Sequence, residues 1–308
     1  MTLIIPNALP PSSSAAALIE PFASRYPKLS HLFNARQAQT QRWLPHEYGC
    51  TPAEGLQLQL AGFNPEAGES IGSGLGALHA KETRTDKPVW VAQLCATVIS
   101  QERATVVPLC LTQPCATDIA ELEDTARPLF SADDDGIEIE PLGNGIWRVH
   151  AEFAQTAGTI SPMALMGQDL GDWWPTHDAW RAWRKRVNEI QMAWHDHPVN
   201  QRREQRGLPA INSVWLYGGA RGFAPQTSLD HDWLVALEQA AWRGDWQGWL
   251  EAWADIESGL LSAEPEREIV LTGDNRIVRL NNAPKRWWQN LFAKEQQNSW
   301  RSWWLNQN

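Results

Sequence analysis

The sequence predicts a mixed α/β (α+β) protein in which a mixed sheet is flanked by helices. Three observations predict it. Strand-like and helix-like stretches alternate along the chain without a strict β-α-β period. The run PVWVAQLCATVIS (88–100) is dense in β-branched residues and fits a buried strand. WWPTHDAWRAWRKRVNEIQMAW sets Trp180, Trp183, Val187, Ile190 and Trp194 at steps of three and four, which makes one apolar helical face.

Residues 1–15 are rich in Pro and Ser and read as loose. Residues 16–62 read as short helices. Among them TPAEGLQLQLAGF starts with Thr51 as N-cap, Pro52 at the first helical position and Glu54 at the capping-box position. GESIGSGLGAL (68–78) is a Gly-rich connector. ATVVPLCL (104–111) is a second strand after 88–100, and Thr117 opens a short helix with acids in its first turn. DDDGIEIEPLGNGIWRVHAEF reads as a hairpin closed by its GNG turn. Thr176 is placed to cap the Trp-bearing helix, with Arg181, Arg184, Lys185 and Arg186 mainly off its apolar face. That helix should end near His195–His197, because Pro198 cannot continue the hydrogen-bond ladder. INSVWLYGG is a strand running into a Gly turn. DHDWLVALEQAAWRGDWQGWLEAWADIESGLL is a second long helical region. Gly244 and Gly248 each weaken it by about 1 kcal/mol relative to Ala and allow a break there. REIVLTGDNRIVRL is a hairpin around Gly273-Asp274-Asn275, and the chain ends in a Trp-rich helical segment. The reading gives three stretches: 1–85, largely helical; 86–222, an α/β domain; and 223–308, a Trp-rich region with a hairpin packed on the same core.

With 308 residues, 43% hydrophobic and 20% charged, the composition is that of a globular protein. A net charge of −10 argues against general binding to nucleic acid or membrane surfaces. No run approaches the roughly eighteen apolar residues of a membrane span. MTLIIPNALPPSSSAAALIEPF has no basic region before its apolar stretch, so no signal peptide is read and a cytoplasmic location is expected. Cys50, Cys95, Cys110 and Cys115 form no CxxC pair and read as reduced thiols. Tryptophan is abundant: 19 residues, of which sixteen lie at or after Trp173. The last stretch is also basic, with six Lys/Arg against Glu295 alone over 276–308.

Several residue groups carry possible chemistry. His195, Asp196 and His197 suggest a metal site, but a helix end assures neither HxH geometry and no third ligand stands nearby, so no metal and no cofactor are expected. The imidazoles then serve a helix C-terminus. Arg202, Arg203 and Arg206 offer donor forks suited to phosphate or carboxylate, or form a solvated surface. Arg148 is the lone Lys/Arg between 136 and 175 and sits on a predicted strand. It needs a partner, either Glu138 or Glu140 on the paired strand or a ligand. No phosphate-loop, nucleophile-elbow or dinucleotide motif is present. The tail residues Lys285, Arg286, Trp287, Trp288, Trp300, Arg301 and Trp303 suit base stacking, or docking on the body or on a partner.

HPVNQRREQRGLPAINSVWLYGG resembles a motif of the archaeal-type cofactor-independent phosphoglycerate mutases. The matching positions are His197, Pro198, Val199, Asn200, Arg203, Gly207, Pro209, Asn212, Trp215 and Gly218. The order of elements before it, including the Trp147-Arg148 pair, is similar as well. The resemblance spans residues 88–219 and corresponds to that family's insertion, or cap, domain. Residues 188–219 also look like the signature of bacterial RpfE-type regulatory proteins, a phosphoglycerate mutase-like group. Active mutases of this class hold two metal ions with an N-terminal Asp-Gly, a Ser or Thr nucleophile and a C-terminal Asp, His and Gly-His set. This chain has no Asp-Gly near its start, no Gly-His, and only His231 after residue 200. The resemblance thus implies a cap-like domain without the catalytic core. It implies a non-catalytic regulatory or binding protein that takes a protein partner or a small phosphorylated or carboxylated ligand, with contacts at Arg148, Asn200, Arg203 and Asn212. Two alternatives stay open: a phosphoglycerate mutase or phosphatase with an unrecognised site, and a nucleic-acid-associated protein using the basic tail. Asn200 and Asn212 equally suit a role in satisfying loop backbone.

Overall fold

A computed structural model describes residues 2–100, 103–131, 136–151, 153, 159–226, 231–262, 267–282 and 299–305. In chain order, the first stretch gives strand β1 (Thr2–Ile5), helices α1 (Ser12–Arg25) and α2 (Pro27–Ala35) and strand β2 (Gln37–Arg42). Helices α3 (Pro45–Tyr48), α4 (Pro52–Leu60) and α5 (Leu75–Ala80) follow, then strands β3 (Trp90–Ile99) and β4 (Ala104–Pro108). Helix α6 (Ala116–Ser131), strands β5 (Glu138–Gly143) and β6 (Ile146–His150), helices α7 (Pro162–Leu165), α8 (Arg181–His195) and α9 (Pro198–Gln205) and strand β7 (Ser213–Gly218) come next. The chain closes with β8 (His231–Trp233), α10 (Glu238–Trp242), α11 (Trp246–Ser262), β9 (Glu268–Thr272), β10 (Arg276–Asn281) and α12 (Trp300–Trp304). The fold is mixed α/β.

The chain divides into two units, residues 1–44 with 228–308, and residues 45–227. This cuts the chain differently from the stretches 1–85, 86–222 and 223–308. The physical reason is β1, which pairs in parallel with both β8 and β9 and so stitches the first and last stretches into one sheet. That sheet runs β2-β10-β9-β1-β8, with β10 antiparallel to β9 and β2. The Pro- and Ser-rich start is therefore not loose: Leu3, Ile4 and Ile5 are buried and α1 begins at Ser12. The polar run QAQTQR, read as part of a helical region, is an edge strand whose pairing comes wholly from β10. The long helical region starts later than read, because His231–Trp233 is strand β8 and α10 begins only at Glu238, and it breaks at Gly244, where φ of +66° ends α10 before α11 begins. An aromatic core fills the unit. Phe22 packs against Tyr26, Phe33, Trp253, Trp300 and Trp304 with ring centroids 4.8–6.1 Å apart.

In the 45–227 unit β3 is the organising strand. Its first half, Trp90–Gln93, pairs with β6, its second half, Cys95–Ile99, with β4, and Trp90–Cys95 with β7. One sheet face carries Trp90, Ala92, Leu94, Trp147, Val149, Val214 and Leu216 into a core completed by α6 and α8. The expected face of α8 packs there through Trp183, Val187, Ile190 and Trp194. Arg186 departs from expectation: it is buried, with Nη1 on Glu189 at 2.8 Å. Thr176 does not cap this helix. A short 3-10 turn, Asp178–Trp180, precedes α8, and His177 caps that turn by accepting from Ala179 N. α4 starts with the predicted capping box, Thr51 and Glu54 bonding each other's backbone N–H.

The Gly-rich SIGSGLG stretch brings backbone against backbone. A methyl at Gly76 would run into the Val89 carbonyl oxygen and crowd Gly218, and one at Gly72 would run into the Gly49 carbonyl oxygen. Both obstacles are main chain and cannot rotate away. Gly76→Ala is expected to cost about 1–3 kcal/mol, the usual range for overpacking, read as a lower urea midpoint with the slope unchanged.

Candidate functional site

The signature stretch builds two helices joined by a tight corner. α8 ends at His195, and His197 caps a further helix, α9, with Pro198 at its first position. The Arg-rich run after Pro198 is thus helical. It stops at Gly207, whose φ of +68° lets Leu208 N bond back to Arg203 O at 2.9 Å. His197 Nδ1 accepts from Val199 N, so Nε2 carries the proton and donates to Thr125 Oγ1 at 2.9 Å. Burial lowers this imidazole's pKa. His195 is exposed to solvent and stands 3.9 Å from Asp196. Among the described residues no group of three or more His, Cys, Asp or Glu is placed to hold a metal ion.

Three of the four candidate contact residues are engaged by the fold itself. Asn200 is buried; its Nδ2 donates to the carbonyls of Trp194 (2.8 Å) and Ile211 (2.9 Å), and its Oδ1 accepts from Ile211 N. It locks the end of α8 to the approach to β7. Arg203 is 0% exposed. Its guanidinium donates to Pro209 O (3.0 Å), Thr112 O and Asp118 Oδ2 (3.1 Å). Asn212 bonds both backbone groups of Thr97, accepting from N at 2.7 Å and donating to O at 2.9 Å. Asn200, Arg203 and Asn212 thus face backbone partners within the fold, whereas Arg148 stands on β6 opposite Val91. Arg202 and Asp118 extend the cluster outward, with Arg202 donating to both Glu121 oxygens at 2.9 Å.

Arg148 differs. It lies on the sheet face opposite the main core, in one register row with Glu140, Val91 and Tyr217. It is buried, and its Nη1 has no hydrogen-bond acceptor. Burial lowers its pKa while the carboxylates of Glu82 and Glu140 raise it. In the same row Tyr217 Oη meets His79 Nδ1 at 2.8 Å. Nearby, Glu54 Oε2 accepts from Ser161 Oγ at 2.7 Å. Burial pushes up the Tyr217 phenol and the Cys50 thiol, with Glu54 adding to both shifts, and holds them protonated. Burial also pushes up the Glu54 carboxyl, against the bonds from Ser161 and Thr51 that lower it. Cys95 is pushed up to about 12.

Burial lowers the His79 pKa. The unfolded chain therefore takes up this proton near pH 6.5 before the folded chain does. His79 contributes stability that is full above about pH 6.5 and is lost as the pH falls below it. Glu54, with its raised pKa, acts in the opposite sense, since its contribution fades as the pH rises above the ordinary carboxyl range. The melting temperature of wild type is expected to fall more between pH 7.5 and pH 5.5 than that of His79→Gln. Equal falls would remove His79 as the cause.

The 45–227 unit also holds an indole-walled recess that no motif announced. Thr159, Trp173, Trp174, Pro175, Trp180, Trp183, Val214, Trp215 and Leu216 line it, around a cavity of about 30 Å³ that opens to solvent. Two lining stretches flank it: 173–183, leading through the 3-10 turn into α8, and 214–216 on β7, which pairs with β3 alone among the described strands. Trp180 is fixed by stacking on Phe153 at 4.5 Å and edge-on to Trp90 at 5.3 Å. Trp174 and Trp215 stand 6.3 Å apart with planes 43° apart. Trp180, Trp183 and Trp215 are buried, whereas Trp173 and Trp174 are half-buried. The one available signal was the density of Trp in WWPTHDAWRAW, which periodicity assigns to core.

No family model matches the sequence, and no curated protein matches it. Two solved structures resemble the fold at a distance. The PH0037 protein from Pyrococcus horikoshii gives a TM-score of 0.41 at 13% identity, over 92% of this chain and 88% of that one. A cofactor-independent phosphoglycerate mutase from Thermoplasma acidophilum DSM 1728 gives a TM-score of 0.28 at 13% identity, over 92% and 90%. At these values the two likenesses say nothing of activity.

The tail candidates fall in two groups. Lys285, Arg286, Trp287 and Trp288 lie outside the described residues. Trp300 and Trp303 are buried in the aromatic core of the other unit, so their rings are not presented for base stacking. Arg301 pairs with Glu20 at 3.0 Å. Among the described residues no helix is long and apolar enough to cross a membrane.

Proposed function

We propose that this protein is a non-catalytic binding protein whose ligand site is the indole-walled recess of the 45–227 unit. One observation carries the reading: five tryptophans converge on an open recess whose lining has no charged side chain. Apolar and aromatic walls with few polar groups are the usual lining of a small-ligand site; with a cavity of about 30 Å³, this recess must widen to admit a ligand. The groups suited to chemistry support the same reading. Asn200, Arg203 and Asn212 are engaged by backbone groups, and the Cys50 and Tyr217 nucleophiles are held protonated. The resemblance of residues 188–219 to RpfE-type regulatory proteins accords with it.

A second reading rests on Arg148. A ligand carboxylate or phosphate would supply the acceptor that its buried Nη1 lacks, with Glu82 and Glu140 opposing the added negative charge.

Turnover tests the non-catalytic reading. Purified protein is expected to convert neither 3-phosphoglycerate nor p-nitrophenyl phosphate above the buffer rate with Mg²⁺, Mn²⁺ or Zn²⁺ added. Turnover that disappears in Arg148→Ala at unchanged melting temperature would overturn it in favour of a mutase or phosphatase.

A further inference from the structure

We propose that β2 is the docking edge for a second copy of this chain, and that two β2 strands pair antiparallel about a two-fold axis centred on Thr40. The inference is independent of the indole-walled recess.

β2 is the edge of its sheet, with β10 as its one strand partner among the described strands. A bare strand edge offers a row of unpaired N–H and C=O groups, and folds commonly blunt it with short strands, prolines, bulges or cover. The other described edges are blunted in these ways. β8 is three residues long, β5 carries Pro141 and a register shift between Pro141 and Gly143, β4 ends on Pro108, and every residue of β7 is buried. β2 has none of these devices. QAQTQR is six residues long, keeps an unbroken register with β10 from Gln37 to Arg42, contains no proline, and exposes every residue but the half-buried Ala38.

The direction of its main-chain groups follows from the ladder. Trp43 N donates to Asn275 O at 2.8 Å, one step beyond the Arg42–Arg276 pair. Main-chain groups alternate in direction along an antiparallel pair. Gln37, Gln39 and Gln41 therefore turn N–H and C=O toward β10, and Ala38, Thr40 and Arg42 turn theirs outward. Among the described residues no hydrogen bond reaches these outward groups.

The edge is complementary to itself. With Thr40 opposite Thr40 of the second copy, Ala38 lies opposite Arg42 of the second copy, and Arg42 opposite Ala38 of the second copy. Every outward residue meets an outward residue, and each pair exchanges two hydrogen bonds, about six in all. Threonine opposite threonine is a favourable cross-strand pair, and the two Arg42 side chains stand at opposite ends, so no like charges meet. Gln39 then lies opposite Gln41 of the second copy, and each glutamine amide can both donate and accept. Six residues a side bury less than the roughly 1,200 Å² of a stable specific interface, so the dimer is expected to be weak, with a dissociation constant on the order of 0.1 mM.

Sedimentation velocity of the full chain tests this. The weight-average mass is expected to rise from monomer toward dimer between about 10 µM and about 1 mM. Thr40→Pro removes an outward N–H from each copy and no bond to β10, and is expected to weaken association at least about tenfold at unchanged melting temperature. Thr40→Lys, which sets two like charges opposite each other, serves if the proline variant melts early. An equimolar mixture of Gln39→Cys and Gln41→Cys, mildly oxidised, is expected to form a disulfide between the two substituted positions, whose Cα atoms are about 4.5 Å apart in a non-hydrogen-bonded pair, while neither variant alone forms one there. A chain that stays monomeric throughout, or a dimer that the well-folded Thr40 variant leaves intact, would overturn the proposal and leave the edge to a foreign strand. A disulfide in another register would overturn the pairing about Thr40.

Discussion

Replacing Arg203 with alanine is expected to lower the unfolding free energy by about 3–5 kcal/mol, the usual consequence of breaking a buried, hydrogen-bonded ion pair by removing one partner. Arg203 is fully buried on α9 and holds three separate pieces of chain. Its Nε donates to Pro209 O just past the end of its own helix, its Nη2 to Thr112 O, and its Nη1 to Asp118 Oδ2 at the start of α6. Alanine would strand the backbone carbonyls of Pro209 and Thr112, remove the longer contact to Gln113 O at 3.5 Å, and leave the buried Asp118 with Arg202 at 3.8 Å. Lysine should not rescue the loss, because one ammonium cannot reach acceptors spread around a planar fork. Urea unfolding checks this: a midpoint shift for both variants, larger for alanine, is expected. A ligand-binding Arg203 would instead leave stability nearly unchanged, and that outcome would favour a ligand role for this arginine.

The contrast between Arg203 and the recess explains what was legible in the sequence. Periodicity and turn chemistry are local, so β3, the two hairpins, the apolar face of α8, the Thr51–Glu54 capping box and the break at Gly244 were all readable. β1 and β2 were not, because each owes its strand state to partners far along the chain: Thr2 lies opposite Glu268, and Gln37 opposite Asn281. α9 was hidden by Pro198, which ends one helix and, with His197 as cap, opens the next.

The same divide runs through the site. A sequence shows that Asn200, Arg203 and Asn212 are polar residues in a distinctive pattern, but not that their partners are the carbonyls and amides of Trp194, Ile211, Pro209 and Thr97. Of the four candidate contact residues, Arg148 alone keeps a buried donor with no acceptor. Indoles pose the opposite problem. At helical spacing they read as core, and Trp183 is core; yet it also walls a recess, because the 173–175 stretch stops short of filling the space beside β7.

Arg276→Ala should release the C-terminal helix. Arg276 is buried at the start of β10, where its Nη2 donates to Pro10 O (3.0 Å) and Trp304 O (2.8 Å) and its Nε to Trp303 O (3.2 Å). Two of those carbonyls end α12, a helix of five residues that is too short to be stable alone. What keeps α12 in place is this clamp together with the burial of Trp300, Trp303 and Trp304 against Phe22, Phe33 and Trp249. Losing the clamp strands three buried carbonyls at roughly 1–3 kcal/mol each, less whatever water regains once the segment lifts away. A net loss of about 3–5 kcal/mol is expected, with the tryptophan emission moving to the red as indoles meet water. Limited proteolysis should then cut near α12 in the variant before it cuts wild type. If the clamp is broken and neither emission nor cleavage changes, burial of the three indoles alone holds the helix. If both change, Trp300, Trp303 and Trp304 are core residues first, and nucleic acid would have to unfold this corner of the protein to reach them.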